Sequence, residues 1–293
     1  MKQLSRGKAL LLFYSFDIIL LVVLALSFLP FAKKEKGPQS QQSALLNPKY
    51  AQTVSKIVVS TPEHGIRSVV TLTKQSGIWT GTDSDSNDMF LWPADSKTVQ
   101  NLIDYTIKVQ NMYKKSDSAR TWKSFALDEK NARSISFYGP EGEIFSSLYF
   151  GTMDPITRRT PFRTWEEQTV WDADSAIELY LSSDTSFWAD PLIIPECLGT
   201  YTAKDGTSVE LRRGKLLAIS PGESNKPQEV VKVRSDSGRT AAFAVYPKND
   251  EFVIIPVFAA DPSDSEKMKK LLSSFNYRYS VSAWTCTKIL ELR

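Results

Sequence analysis

The sequence predicts an α+β fold: an N-terminal transmembrane helix, then an ectodomain of antiparallel strands and amphipathic helices that reads as a duplicated module. Three observations predict it. Residues 9–31 form one apolar run. Short alternating segments separated by turn residues recur beyond residue 53. Strands followed by an Ala-Asp step and an amphipathic helix occur twice, the order of an α+β chain rather than of strict βαβ alternation.

The apolar run comes first. Ala9 to Phe31 carries one charge, Asp17, between Lys2, Arg6 and Lys8 on one side and Lys33, Lys34 and Lys36 on the other. As a helix it would span about 35 Å, enough for a hydrocarbon core of about 30 Å. It is longer than the apolar core of a cleaved signal peptide, and the one small-residue step, Ala25-Leu26-Ser27, lies inside it. No cysteine follows directly, which argues against a lipid-modified anchor. The flanking charges tie, and the short head with its free amino terminus favours an N-in, C-out orientation. The expected organisation is a cytoplasmic head at 1–8, an anchor at 9–31, a flexible stalk at 32–52, a first α+β module at 53–195 and a smaller second one at 196–293. Asp17 reads either as a contact with another membrane helix or as a protonated carboxyl tolerated in a single anchor.

Removing Lys2, Arg6, Lys8 and Asp17 from the 36 basic and 33 acidic residues leaves 33 and 32 for the ectodomain, a balance that gives no electrostatic case for nucleic acid. Cys197 and Cys286 are too few for a zinc site; one disulfide or two buried thiols both remain open.

The elements follow in order. The stalk is rich in Lys, Gln, Ser and Pro and lacks sustained periodicity. Val54–Ser60 and Ile66–Lys74 alternate around a turn at Pro62–Gly65, and Gly77-Ile78-Trp79 opens a third strand. Asp95 caps a helix whose stripe runs through Val99, Leu102, Ile103, Thr106, Val109, Gln110 and Tyr113. Ala132–Tyr138 and Glu143–Phe150 form a hairpin around Gly139-Pro140-Glu141-Gly142. Thr160–Arg163 and Thr169–Trp171 are short strands, and Asp174 caps a short helix through Leu181. Further on, Ser208–Arg212 and Leu216–Ile219 predict a hairpin around Gly214, Thr240–Tyr246 and Glu251–Val257 two strands, and Ala260-Asp261 a helix from Ser263 or Asp264 to about Phe275.

Six features in this order carry a family resemblance: the anchor; Ile78-Trp79; Trp92-Pro93-Ala94-Asp95 before a helix with Leu102; Phe125-Ala126-Leu127-Asp128 before a strand; Phe150-Gly151 ending a hairpin; and Val170-Trp171 followed by Phe187-Trp188-Ala189-Asp190. Over roughly Val54 to Pro195 the chain resembles family 4340 of the domains of unknown function. Ala126 stands where members usually have Gly. The resemblance implies a bacterial cytoplasmic-membrane protein associated with gliding-motility-type ABC transporters and their auxiliary subunits, and it carries no catalytic residues. Physically, Trp79 and Trp92 suit a buried sheet face, Asp95 an N-cap and Gly151 a chain reversal.

Candidate sites are few. Asp83-Ser84-Asp85-Ser86-Asn87-Asp88 resembles half of a calcium loop, but Asp88 and Ala94 stand where an EF-hand needs Gly and Glu; a solvated acidic loop is the simpler reading. His64, the only histidine, sits in a turn. No Gly-x-Ser-x-Gly elbow, Walker A motif or dinucleotide fingerprint occurs. The strongest candidate is the loop around Arg158, Arg159 and Arg163, whose guanidinium groups could clamp a carboxylate, a phosphate or an acidic partner, or only solvate a hairpin tip. The expectation is a non-enzymatic, single-span membrane protein with no cofactor or metal. Its extracytoplasmic interaction domain would be an accessory subunit of an ABC-type transporter, with Asp17 and the arginine loop facing partners. The alternative is a tethered receptor for a solute or envelope polymer. An envelope hydrolase would need clustered carboxylates or an activated serine.

Overall fold

A computed structural model describes Tyr14 and residues 40–63, 65–83, 90–201, 210–217, 227–248 and 251–292. The expected anchor (Tyr14 apart), His64 and most of the acidic 83–88 stretch lie outside these residues. No helix among the described residues is long and apolar enough to cross a membrane.

The first ten strands are β1 (Ser40–Ser43), β2 (Lys56–Glu63), β3 (Ile66–Gln75), β4 (Ile78–Asp83), β5 (Leu91–Pro93), β6 (Gln110–Ser116), β7 (Arg133–Tyr138), β8 (Ile144–Phe150), β9 (Arg159–Thr164) and β10 (Val170–Asp174). They form one antiparallel sheet in the order β1-β6-β10-β9-β8-β7-β2-β3-β4-β5. Strands β11 (Leu216–Leu217), β12 (Glu229–Arg234), β13 (Thr240–Lys248), β14 (Glu251–Ala259) and β15 (Arg278–Val281) form a second, ordered β11-β15-β14-β13-β12. The α-helices are short: α1 (Ser96–Ile107), α2 (Thr185–Trp188), α3 (Glu266–Ser274) and α4 (Ala283–Leu290).

This overturns the α+β expectation. The described residues are mostly antiparallel sheet with few helices, and their two sheets, of ten and five strands, are not copies of one module. Two readings misled. The stripe after Asp95 continues helically only to Ile107; Lys108 turns extended, and residues 110–116 pair with β1 and β10 instead. The Ala-Asp steps also do different jobs. Asp95 caps α1, its carboxylate accepting from the Lys97 amide at 3.0 Å and the Thr98 hydroxyl at 2.6 Å. In the second half Ser265 caps α3, while Asp261 holds the turn before it by accepting from the Ser263 amide.

The expected stalk also shortens. Polar Ser40–Ser43 pairs with β6 as an edge strand, where no apolar alternation is required. Leu45 and Leu46 then enter the core, and Tyr50 stacks on Phe145 with ring centroids 4.1 Å apart. Residues 40–293 thus belong to one compact unit.

The expected hairpins form, β2 with β3 and β7 with β8, and the two strands expected at 240–246 and 251–257 form as β13 and β14, which pair with each other. Of the hairpin expected around Gly214, residues 208–209 and 218–219 lie outside the described residues; among those described, Leu216 pairs with Tyr279 of β15 and Arg212 bridges Leu192. Trp79 and Trp92 are buried as expected. Gly81, opposite Trp92, is there for space: a Cβ would lie 2.0 Å from the indole ring. One apolar cluster runs through both sheets, from Val59, Leu72 and Trp92 to Phe243, Ile254 and Tyr279.

Candidate functional site

The arginine loop joins β8 to β9. Asp154 builds it: its amide donates to the Arg159 carbonyl at 2.9 Å, and its carbonyl accepts from the Arg158 amide at 2.9 Å. Its carboxylate accepts from the Ile156 amide at 2.8 Å and the Thr157 amide at 3.3 Å. Those bonds favour the charged form and hold the Asp154 carboxyl below the usual range. Arg158 takes a left-handed φ of 52°, an uncommon conformation for a side chain with a Cβ. The result is a closed hairpin tip with Ile156 at its apex, 91% exposed.

The three arginines do not converge. Arg158 is exposed. Arg159 turns back onto the sheet, where its Nε donates to the Asp172 carboxylate at 2.6 Å and its Nη2 to the Asn111 and Asp172 carbonyls. Its guanidinium lies 4.7 Å from the Tyr113 ring centroid. The second carboxylate oxygen of Asp172 meets Lys115 at 3.1 Å, and the first also accepts from the Tyr113 amide. Asp172, 1% exposed, is therefore a buried charge neutralised by two cations.

Arg163 lies four residues further along β9, about 13 Å away at strand spacing. Only 7% exposed, it is sandwiched between Trp122 and Tyr149, 3.9 and 4.1 Å from the ring centroids. Its Nη1 donates to the Thr164 carbonyl at 3.2 Å, and burial pushes its pKa down. The sandwich makes it a packing element of the sheet. The third candidate for partner contact is thus removed from the exposed loop, while Asp17 lies outside the described residues.

Beside the loop is a depression of about 310 Å³ lined by Lys115, Lys123, Arg159, Phe125, Pro161 and Asp172 among others. Its wall comes from a 3₁₀ helix, Ala119–Phe125, which ends on Ala126 at a φ of 55°. The left-handed turn therefore forms here on alanine. Gly151 packs under it, and a Cβ there would lie 1.8 Å from the Phe125 carbonyl oxygen. Its glycine serves close approach, not the chain reversal expected from sequence.

Sequence reasoning missed Asp172, Lys115, Tyr113 and Trp122. The signal for Asp172 was present: in Val170-Trp171-Asp172-Ala173 it falls mid-strand, where a carboxylate needs a partner. A second depression, of about 270 Å³, is lined by Leu192, Ile194, Glu196, Thr200, Tyr201 and Glu210. Near it the Asp190 carboxylate accepts from the Leu192 and Glu196 amides, and burial pushes its pKa up to about 6. Cys197 and Cys286 are free thiols, and burial raises Cys197 to about 12. Among the described residues no group of three His, Cys, Asp or Glu side chains gathers to hold a metal ion.

No family model matches the chain, and no curated protein or solved structure matches it.

Proposed function

We propose that the chain is a membrane-tethered, non-enzymatic protein whose β-rich extracytoplasmic unit is an interaction module, an accessory subunit beside an ABC-type transporter. The observation that carries the reading is the position of the folded unit behind the apolar run. Residues 9–31 have the length and hydropathy of a membrane segment, and β1 begins at Ser40, leaving a linker of eight residues, 32–39. Fully extended, that linker reaches at most about 28 Å. A unit on so short a leash works at the membrane surface, on partners that are there too. The transporter as partner rests on the family resemblance alone.

In-membrane crosslinking of the tagged full-length chain, followed by mass spectrometry, tests this. Recovery of permease or auxiliary subunits supports it, with Asp17→Asn the next variant; recovery of the chain alone counts against it. A second reading, a tethered receptor for a small anionic solute, is favoured by the cationic lining of the 310 Å³ depression. It expects a solute-dependent rise in melting temperature.

A further inference from the structure

We infer that the Met153–Arg159 loop is a membrane-docking element, which inserts Ile156 into an anionic lipid surface while the cations beside it meet the headgroup phosphates. The inference rests on the membrane-tethered reading and names a second contact of that unit with the bilayer.

Three observations carry it. The first is exposure. Ile156 is 91% exposed at the apex of the hairpin tip, with Met153, 36% exposed, beside it in the same loop. Single exposed apolar residues are common on protein surfaces. This one is held out by a closed loop, with four hydrogen bonds between Asp154 and its neighbours keeping the tip in one shape. An ordered tip pays little entropy on insertion.

The second is charge. Arg158 is exposed two residues after Ile156. The adjoining depression is lined by Lys115, Lys123, Arg159, Asp154 and Asp172. Arg159 and Lys115 are engaged by the buried Asp172, and Asp154 turns its carboxylate to the loop's own amides, which leaves Arg158 and Lys123 as the cations beside the tip. An apolar tip with two cations beside it, unpaired among the described residues, is the chemistry of an anionic interface, where each nearby Lys or Arg strengthens binding about fivefold.

The third is the tether. Ser40, where the eight-residue linker joins the fold, pairs with Tyr113, the residue whose ring carries the Arg159 guanidinium. The attachment point and the loop base are thus joined through the adjacent strands β1, β6, β10 and β9.

The test uses the full-length chain in nanodiscs, either neutral phosphatidylcholine or the same lipid with about 30% phosphatidylglycerol. Thr157→Cys carries a nitrobenzoxadiazole label; Cys286 is buried and the Cys197 thiol is held protonated, so the unsubstituted chain controls for background labelling. The expected result is brighter, blue-shifted emission on anionic discs relative to neutral ones. Ile156→Asp abolishes the difference, and Arg158→Gln lowers the docked-to-undocked ratio about fivefold. Both replaced side chains are exposed, so the fold is retained, and an unchanged melting temperature verifies it. Equal emission on the two disc types, or emission indifferent to Ile156→Asp, overturns the docking. Alkaline carbonate separates the two ideas: a retained chain with no lipid dependence loses the docking alone, whereas a released chain loses the tether and the docking together.

Discussion

Arg163 offers the sharpest test of what the sheet does with its arginines. From sequence it belonged to a partner-binding cluster; in the structure its guanidinium fills the gap between Trp122 and Tyr149 at 3.9 and 4.1 Å. Two desolvated cation–π contacts contribute about 1–2 kcal/mol together once the burial of the charge is set against them. Truncation to alanine also removes the stem that both rings pack on, about 1–2 kcal/mol more. Arg163→Ala should therefore cost about 3 kcal/mol. In a chain of this size that lowers the melting temperature by roughly 6–12 °C. Arg163→Lys keeps the charge but loses the planar face and should fall between the two. The assay is thermal unfolding of the detergent-solubilised chain followed by tryptophan fluorescence. A loss below about 0.5 kcal/mol, the range of ordinary surface substitutions, would refute the packing role and return Arg163 to the exposed loop.

The turn at Ala126 holds a left-handed φ on a residue with a Cβ. Relief of about 1–2 kcal/mol of strain, less the 0.4–1 kcal/mol of extra freedom glycine has when unfolded, predicts that Ala126→Gly raises stability by about 0.5–1 kcal/mol. Urea unfolding reads this as a higher midpoint, and Ala126→Val should lower it. Gly151→Ala, whose Cβ would meet the Phe125 carbonyl at 1.8 Å, should cost about 3 kcal/mol, because the obstacle is backbone. Asp190 binds its proton more tightly folded than unfolded, so its contribution to stability falls as pH rises from about 4 to about 6. A pKa raised from 3.8 to about 6 corresponds to at most about 3 kcal/mol. Melting curves between pH 4 and 7 should show a steeper decline for the natural chain than for Asp190→Asn, and equal slopes would dismiss the assignment.

What was legible in the sequence was local. Alternation with a tight turn specified β2–β3 and β7–β8, β13 and β14 were legible as strands but not as a pair, and the side chains of Asp95 and Asp174 marked starts of helical segments where the structure has them. What was not legible depended on partners far along the chain. Ser40–Ser43 is a strand only because β6 supplies its hydrogen bonds. Arg278–Val281 has all four residues buried because β14 and β11 flank it and both its faces are covered. The same limit governed the site. Three arginines within six residues read as one cluster, yet a strand carries successive side chains away from each other along its length. The groups that claimed Arg159 and Arg163, namely Asp172, Tyr113, Trp122 and Tyr149, come from other strands and a 3₁₀ helix.

The join between the two sheets shows why the chain does not divide into independent modules at residues 195 and 196. The segment after α2 bridges to the residues that follow β5: Ala189 opposes Ala94, and the Asp95 amide donates to the Trp188 carbonyl. From the other side Arg213 donates to four carbonyls, those of Ser186, Ala189, Asp190 and Gly214, at 2.5–3.1 Å. Three of these lie at or just beyond a four-residue helix, and the guanidinium satisfies them where that helix has run out of its own donors. Leu211 and Arg213 continue the join by backbone pairing with Ile193 and Pro191. Opening it would leave half-buried carbonyls and a guanidinium without partners on one side and the Ile193 carbonyl without the Tyr279 hydroxyl on the other. Each such loss costs about 1–3 kcal/mol. The apolar cluster crosses the same join, so the polar and apolar contacts resist separation together, and the ten-stranded and five-stranded sheets stand or melt as one unit.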